Sequence, residues 1–456
     1  MLPRTVYIFF VVAVSCARSF GQQQAISVQQ AVSADTSLAV TKNLSDSALL
    51  DLTEKQTIGY FWDFGDPVSG MARERSNQTF GYGDEVVTTG GTGFGVMALI
   101  VGVERKWLSR DTVATRLLKL VKFLSKADAY HGVFPHWMNG ATGKTIPFSR
   151  KDDGADLVET SYLFAGLLCA KAYFDGSNHT EQNLRSRIGS LWDEIEWNWF
   201  TRDGQDVLYW HWSPNNGWAM NFPLRGYNET LITYILAASA TKYSVPAEAY
   251  SIGWPQSDHF INGNKFYGFS LPLGFDYGGP LFFAHYSFLG LDPHGLHDKF
   301  ADYWEQNLHH TLINHAYCVD NPKHYKGYGE KCWGLTASDD YDGYAAHSPT
   351  NDLGVISPTA ALSSFPYSPD YSMQALRHFY FDLGNKIWGR YGFVDAFSEA
   401  HNWFAKSYLA IDEGPIVVMI ENYRSGLFWK LFMKNADIQR GLKKLGYSSP
   451  YLTDKP

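Results

Sequence analysis

"KDDGADLVETSYLFAGLLCAKAYF", residues 151–174, runs from a cluster of carboxylates into a long apolar stretch. The run predicts a helix over about 155–175, ended by Asp175-Gly176. Cys169 falls inside it and reads as a buried thiol. At its start, Asp156-x-x-Glu159 has the spacing of a capping box, and acids in a first turn meet the positive end of the helix dipole. Extended back to Asp152, the helix would carry Asp152, Asp156 and Glu159 within roughly 60° of one another. Taken alone, the residues favour a helix cap over an acidic pocket floor.

The helical period continues on either side. Candidate helices cover about 45–62, 92–107, 111–128, 155–175, 180–199, 228–242, 281–289, 297–317, 357–364, 369–384 and 414–434. Strand-like pieces such as Val207 to Trp212 are short and isolated. No strand–helix alternation occurs, which excludes a parallel α/β sheet and predicts an all-α fold. Successive helices paired as antiparallel hairpins can close into an inner and an outer ring, with long functional loops at one end. Residues 45–447 read as one such domain, with a tail over 448–456. Residues 1–21 read as an export signal: Arg4, the apolar run Tyr7 to Val14, then small residues up to Gly21. That run is too short for a permanent membrane span, so a periplasmic or secreted product is expected after a loose leader over 22–44.

The 456 residues are 45% hydrophobic and 18% charged, with net charge −8, a globular composition without the basic patches that nucleic acid demands. Aromatic residues reach 16%. Many fill a core, yet Trp210, Trp212 and Trp218 sit in the polar stretch "LYWHWSPNNGWAMN", where flat rings beside Asn suit the C–H faces of sugars. "TGGTGFGVMAL" contains Gly93-x-Gly95-x-x-Ala98, but no strand follows its helix, so close helix packing explains it better than a dinucleotide. Glu305 and His309, on one helix with His310 and His315, could share a metal but lack a third ligand at a recognisable spacing. No cofactor and no metal are therefore expected. An oxidising compartment would permit a disulfide between Cys318 and Cys332.

Further acids lie in Gly- and aromatic-rich segments. Glu229 opens the apolar run of "PLRGYNETLITYILAA"; Asp339 lies in "CWGLTASDDYDGY", Asp395 in "RYGFVDAFSEA", and Asp412 with Glu413 in "AIDEGPIVVMIENYRSG". Cleaving a glycosidic bond needs one protonated acid for the leaving oxygen and one ionised carboxylate to activate water or attack the anomeric carbon. Crowding acids together raises some of their pKa values and keeps such a donor protonated.

Seven blocks in order, "GYFWDFGDPVSGMARERS", "TGGTGFGVMALIVGVER", "DLVETSYLFAGLLCAKAYF", "YNETLITYILAAS", "GFDYGGPLFFAHYSFLGLDP", "CWGLTASD" and "AIDEGPIVVMIENYRSGLFWKLFM", resemble the bacterial β-1,2-glucanase family, whose domain is often labelled glucoamylase-like. The likeness covers roughly residues 45–447. It implies an (α/α)6 barrel and an inverting hydrolase releasing sophorose or short sophoro-oligosaccharides from β-1,2-glucan. Carried over by motif, Glu229 matches the general acid, and Asp152, Asp156 and Glu159 match an acidic cluster that positions substrate or water. Asp395 and Asp156 are the candidate bases, and Glu159 completes the candidate catalytic set. Arg73, His136, Trp137, Trp218, His285, Trp333, Asp339, Asp412 and Glu413 are candidate sugar contacts. One departure is Glu413, where the resemblance leads us to expect Gln. The rival reading is a glycan-binding protein whose acids only hydrogen-bond sugar hydroxyls; a lyase on uronic substrates fits less well with so many carboxylates. Endo or exo action, chain-length preference and oligomeric state stay open.

Overall fold

The computed structural model describes residues 39–77 and 81–452. The expected export signal, most of the leader and the last residues of the tail lie outside the described part. Its helices are α1 (Asp46–Asp63), α2 (Thr89–Glu104), α3 (Arg110–Leu124), α4 (Leu157–Tyr173), α5 (His179–Asp193), α6 (Leu231–Ser239), α7 (Tyr303–Asp320), α8 (Pro358–Leu362), α9 (Pro369–Arg377), α10 (Gly384–Ile387), α11 (Ala410–Ser425), α12 (Leu427–Met433) and α13 (Ala436–Lys444). None among the described residues is long and apolar enough to cross a membrane.

Burial sorts these helices into two kinds. Every residue is buried over Thr89–Gly102 of α2, Leu157–Ala170 of α4, Leu231–Ser239 of α6 and Asp412–Asn422 of α11. A helix covered on all sides must have neighbours all round it. By contrast, α3 and α5 bury one stripe, Val113, Leu117, Leu120, Val121 and Leu124 in the first and Leu184, Ile188 and Leu191 in the second. These two pack on each other and on the buried set.

The Gly-rich segment is an interface. A Cβ on Gly93 would stand 2.2 Å from the Tyr162 carbonyl oxygen, and one on Gly166 would stand 2.1 Å from the Gly93 carbonyl oxygen. The backbones of α2 and α4 therefore touch with no side chain between them. Close helix packing, expected in place of a nucleotide loop, is what this stretch provides.

Several boundaries depart from expectation. The helix expected over 228–242 starts only at Leu231, because the Asn228 side chain takes the Thr230 N–H and hydroxyl and turns the chain first. Residues 281–289 form two 3₁₀ turns, Leu281–Ala284 and Tyr286–Leu289. The helix expected from 297 begins at Tyr303, where Asp302 caps Trp304 and Glu305. Gly426, at φ 66°, divides the 414–434 segment into α11 and α12. Cys318 and Cys332, read as able to pair, are buried free thiols.

The strands are short but placed at the site. β1 (Val86–Thr88), β2 (Trp137–Asn139) and β3 (Thr145–Ile146) make an antiparallel sheet leading into α2. β4 (Ala155–Asp156) pairs with β5 (His211–Trp212), which sets Asp156 opposite His211.

Replacing Gly166 by Ala should destabilise the fold by about 1–3 kcal/mol in denaturant unfolding, since the helices cannot part without losing their other contacts. Gly329→Ala, where an added Cβ meets nothing within 4 Å, should stay within about 0.5 kcal/mol of the parent. Equal effects would refute the backbone contact.

Candidate active site

Asp156 caps α4. Its Oδ1 accepts from the N–H groups of Val158 (3.0 Å) and Glu159 (2.9 Å) and from Trp210 Nε1 (2.8 Å). Its Oδ2 accepts from His136 Nδ1 at 2.9 Å and faces His211 Nε2 at 3.4 Å, which also pairs with Asp152 at 3.1 Å. Burial alone would push the Asp156 carboxyl up. The hydrogen bonds and charges of the two imidazoles win, and hold it well below the usual carboxylate range. Burial likewise opposes charge on the histidines, but the surrounding carboxylates push His136 up to about 10 and His211 up to about 9. Near neutral pH this corner is an ion-pair network of imidazolium and carboxylate.

Glu159 stands one turn into α4. Its Oε2 accepts the Gly90 N–H at the mouth of α2 at 2.7 Å, a contact that a side chain on residue 90 would obstruct. Burial, aided by the charges of Asp156 and Asp152, pushes its pKa up to about 7 against the pull of His136. Glu229, in the turn before α6, is also pushed up to about 7, first by burial and then by the charge of Glu159. The Tyr162 hydroxyl lies beside both acids, 3.4 Å from the Glu229 carbonyl oxygen. Glu159 and Glu229, far apart in sequence, thus meet at neighbouring helix mouths.

A second acidic group lies at the mouth of α11. Arg75 holds Asp339 in a fork, with Nη1–Oδ2 at 3.0 Å and Nη2–Oδ1 at 3.2 Å, and its Nε donates to Glu74 at 3.0 Å. Tyr82 also donates to Glu74, at 2.6 Å, and Ser407 donates to Asp339. The Asp339 N–H then donates to Asp395 Oδ2 at 2.7 Å. Among the described residues, Asp395 Oδ1, Asp412 Oδ2 and Glu413 Oε2 are buried without a hydrogen-bond partner. Burial pushes all three carboxyls well above their usual range, with the charges of Asp412 and Asp339 adding at Asp395, and that of Asp395 adding at Glu413. Tyr286 lies between the two groups, within the fields of Asp412 and Glu159.

The expected site residues divide accordingly. Asp152, Asp156, Glu159, His136 and Glu229 share the first group, and Asp339, Asp395, Asp412 and Glu413 form the second. Trp137 packs between Tyr82, tilted against it, and Phe148, edge-on, with ring centroids 4.7 Å from each, beside His136. Four candidates fall elsewhere. Arg73 donates to the carbonyls of Asp84 and Phe64 and leans over the Phe64 ring, and the neighbouring Arg75 is the cation that meets the acids. His285 is buried with Nε2 on Ser364 Oγ at 3.0 Å, and burial lowers its pKa to about 3. Trp333 is fully buried against His315. Trp218 packs with Phe200 and Tyr209 in a half-buried cluster that includes Trp199. As a base Asp156 is unsuited, because five donors saturate its oxygens.

His211, Arg75, Glu74 and Tyr82 escaped the sequence reading as site residues, and Trp210, read there as a ring for sugar, is a donor to Asp156. The Val207 to Trp212 run reads as strand-like in the sequence, but its pairing with β4 does not follow from it. His136, Asp152 and Asp156 also bring donor atoms within 4.8 Å of one another, a spacing a metal could use. Here imidazole protons already fill that role.

In an Asp156→Asn variant the cap is largely kept, since Asn caps a helix about as well as Asp, but an amide donor faces donors. His136 should then lose its proton well below pH 9, whereas the parent imidazole should stay charged to about pH 10; NMR titration of the ring protons reads this directly. An unchanged titration would contradict the network.

A family model described as "Putative glucoamylase" matches residues 221–436. The chain is 44% identical over 428 residues to an exo-β-1,2-glucooligosaccharide sophorohydrolase (non-reducing end) of Parabacteroides distasonis, covering 89% of this chain. It spans 59% of that relative's own length. A Bacteroides uniformis crystal structure carrying the same glucoamylase description superposes with TM-score 0.89 at 61% identity, over 91% of this chain and all of that one. An endo-β-1,2-glucanase from Chitinophaga pinensis, solved with sophorotriose and glucose, gives 0.87 at 57% identity, over 90% and 100%.

Proposed function

Because the chain belongs to the bacterial β-1,2-glucanase family of glycoside hydrolases, we propose that it hydrolyses β-1,2-linked glucan to sophorose or short sophoro-oligosaccharides, with inversion at the anomeric carbon. The observation that carries the chemistry is the pair Glu159 and Glu229, one buried and one half-buried carboxyl on separate helix mouths, each pushed up to about 7. Such a pair can hold a proton for a leaving oxygen at neutral pH. Linkage specificity is supported by the relatives named for β-1,2-glucan.

We take the architecture to be an (α/α)6 double ring, all-buried helices such as α2, α4, α6 and α11 forming the inner set and one-sided helices the outer. The inner helices then present their N-terminal ends to one hollow. An export signal at 1–21 would deliver the enzyme to the periplasm or beyond, where such polymers are met.

In this mechanism Glu229 is the acid. Glu159, charged for part of the time, keeps Glu229 protonated, and its own position is fixed by the Gly90 N–H. The Asp395–Asp412 couple holds a proton between oxygens that have no other donor, and its remaining charge draws a proton from the attacking water, through intervening water or a sugar hydroxyl. Asp156, saturated and permanently ionised, keeps His136 charged and aimed. His136, His211 and Arg75 offset the local excess of anions.

The direction of the pH dependence follows. Glu229 must carry its proton, and its pKa is raised from 4.5 to about 7, so kcat/KM should fall as pH rises through about 7. Glu229→Gln should lower kcat by about 10²- to 10⁴-fold and remove that limb. Proton NMR during hydrolysis should show the α-anomer first; β-anomer first means retention and sinks the inverting scheme. Tight glucan binding without products over long incubation would favour the glycan-binding reading instead.

A further inference from the structure

Away from these acids, three segments distant in sequence bring unlike donors together. Cys332 lies in the loop after α7, His378 follows α9, and Glu399 lies in the turn between the paired strands Phe397–Ser398 and Trp403–Phe404. One donor atom from each lies within 4.8 Å of the other two. Cys332 is 3% exposed, while His378 and Glu399 are half-buried, so the group opens outward from a covered thiol. None of the three serves the proposed hydrolysis.

The imidazole is already oriented. His378 Nδ1 donates to Asp382 at 2.8 Å, which leaves Nε2 with its lone pair. A carboxylate fixing one ring nitrogen so that the other can ligate is the usual support of a metal-binding histidine. Thiolate, imidazole and carboxylate together select zinc over calcium or magnesium, and one Zn²⁺ with one thiolate, one carboxylate and one neutral imidazole leaves no net charge in a partly covered site.

We propose that Cys332, His378 and Glu399 form a zinc site, with water as the fourth ligand and Asp382 as the positioning residue for His378. Binding forms the Zn–S bond and releases the Cys332 proton to solvent. The ion ties the loop running on to Asp339, seven residues beyond Cys332, to the hairpin that begins just after Asp395, four residues before Glu399. It thereby clamps both segments that supply the second acidic group, without itself touching the sugar.

Titrating the full chain with Co²⁺, a spectroscopic stand-in for Zn²⁺, tests this. One equivalent should give a thiolate-to-cobalt charge-transfer band that Zn²⁺ abolishes by displacement. Cys332→Ser should lose the band; His378→Ala, at a partly exposed position, should lose or strongly weaken it and serves as the check should the first variant fold poorly. Asp382→Asn should keep the band and weaken Zn²⁺ binding by about 10- to 100-fold. No band in the parent chain, or a band undiminished in Cys332→Ser and His378→Ala, would overturn the site.

Discussion

Backbone contact between α2 and α4 at Gly93 and Gly166 fixes the distance from which the acidic site follows. With no side chains to hold them apart, the two helices bring their first turns side by side. The Gly90 N–H can then reach Glu159, and the cap residue Asp156 lies where β5 and the residue before it supply His211 and Trp210. α11 also packs on α2, which brings Asp412 and Glu413 of its first turn toward the same end. Helix mouths favour anions because their N–H groups are unpaired and their dipoles aligned. Concentrating acids there costs less than it would anywhere else in a buried interior.

Within that setting, environment gives chemically similar carboxyls different tasks. Asp156 has five donors and is held toward its ionised form, whereas Asp395, Asp412 and Glu413 each have a buried oxygen without a donor and are pushed toward their neutral form. Glu159 and Glu229 lie between these extremes, near 7. A site able to give and take protons at neutral pH needs that spread. Glu413 fits the same logic: burial pushes it toward a neutral form, the nearer match to the amide that the family resemblance expects.

The acids and most helices were legible in the sequence because their signals are local: capping spacing, apolar period, Gly-rich entry. Asp156 caps α4 while Asp152 and Glu159 stand close to it, so the capping spacing and the acidic cluster read from the sequence belong to one group of side chains. What was not legible depended on register between distant segments. The two-residue pairing of β4 with β5 makes His211 a partner of Asp156, and no periodicity announces it. Arg73 and Arg75 look alike in sequence, yet only the second reaches Asp339. His285 and Trp333 stand in family-like blocks, but the chain satisfies them internally, against Ser364 and His315.

The most direct measurement is a crystal structure of a catalytically slowed form, such as Glu229→Gln, soaked with a β-1,2-linked glucotetraose. The scissile oxygen should lie within hydrogen-bond reach of side chain 229, with the sugar passing between Glu159 and the Asp395–Asp412 pair. A glucan lodged elsewhere, for instance against Trp199 and Trp218 with position 229 untouched, would contradict the claim that acids from separate helix mouths act on one linkage.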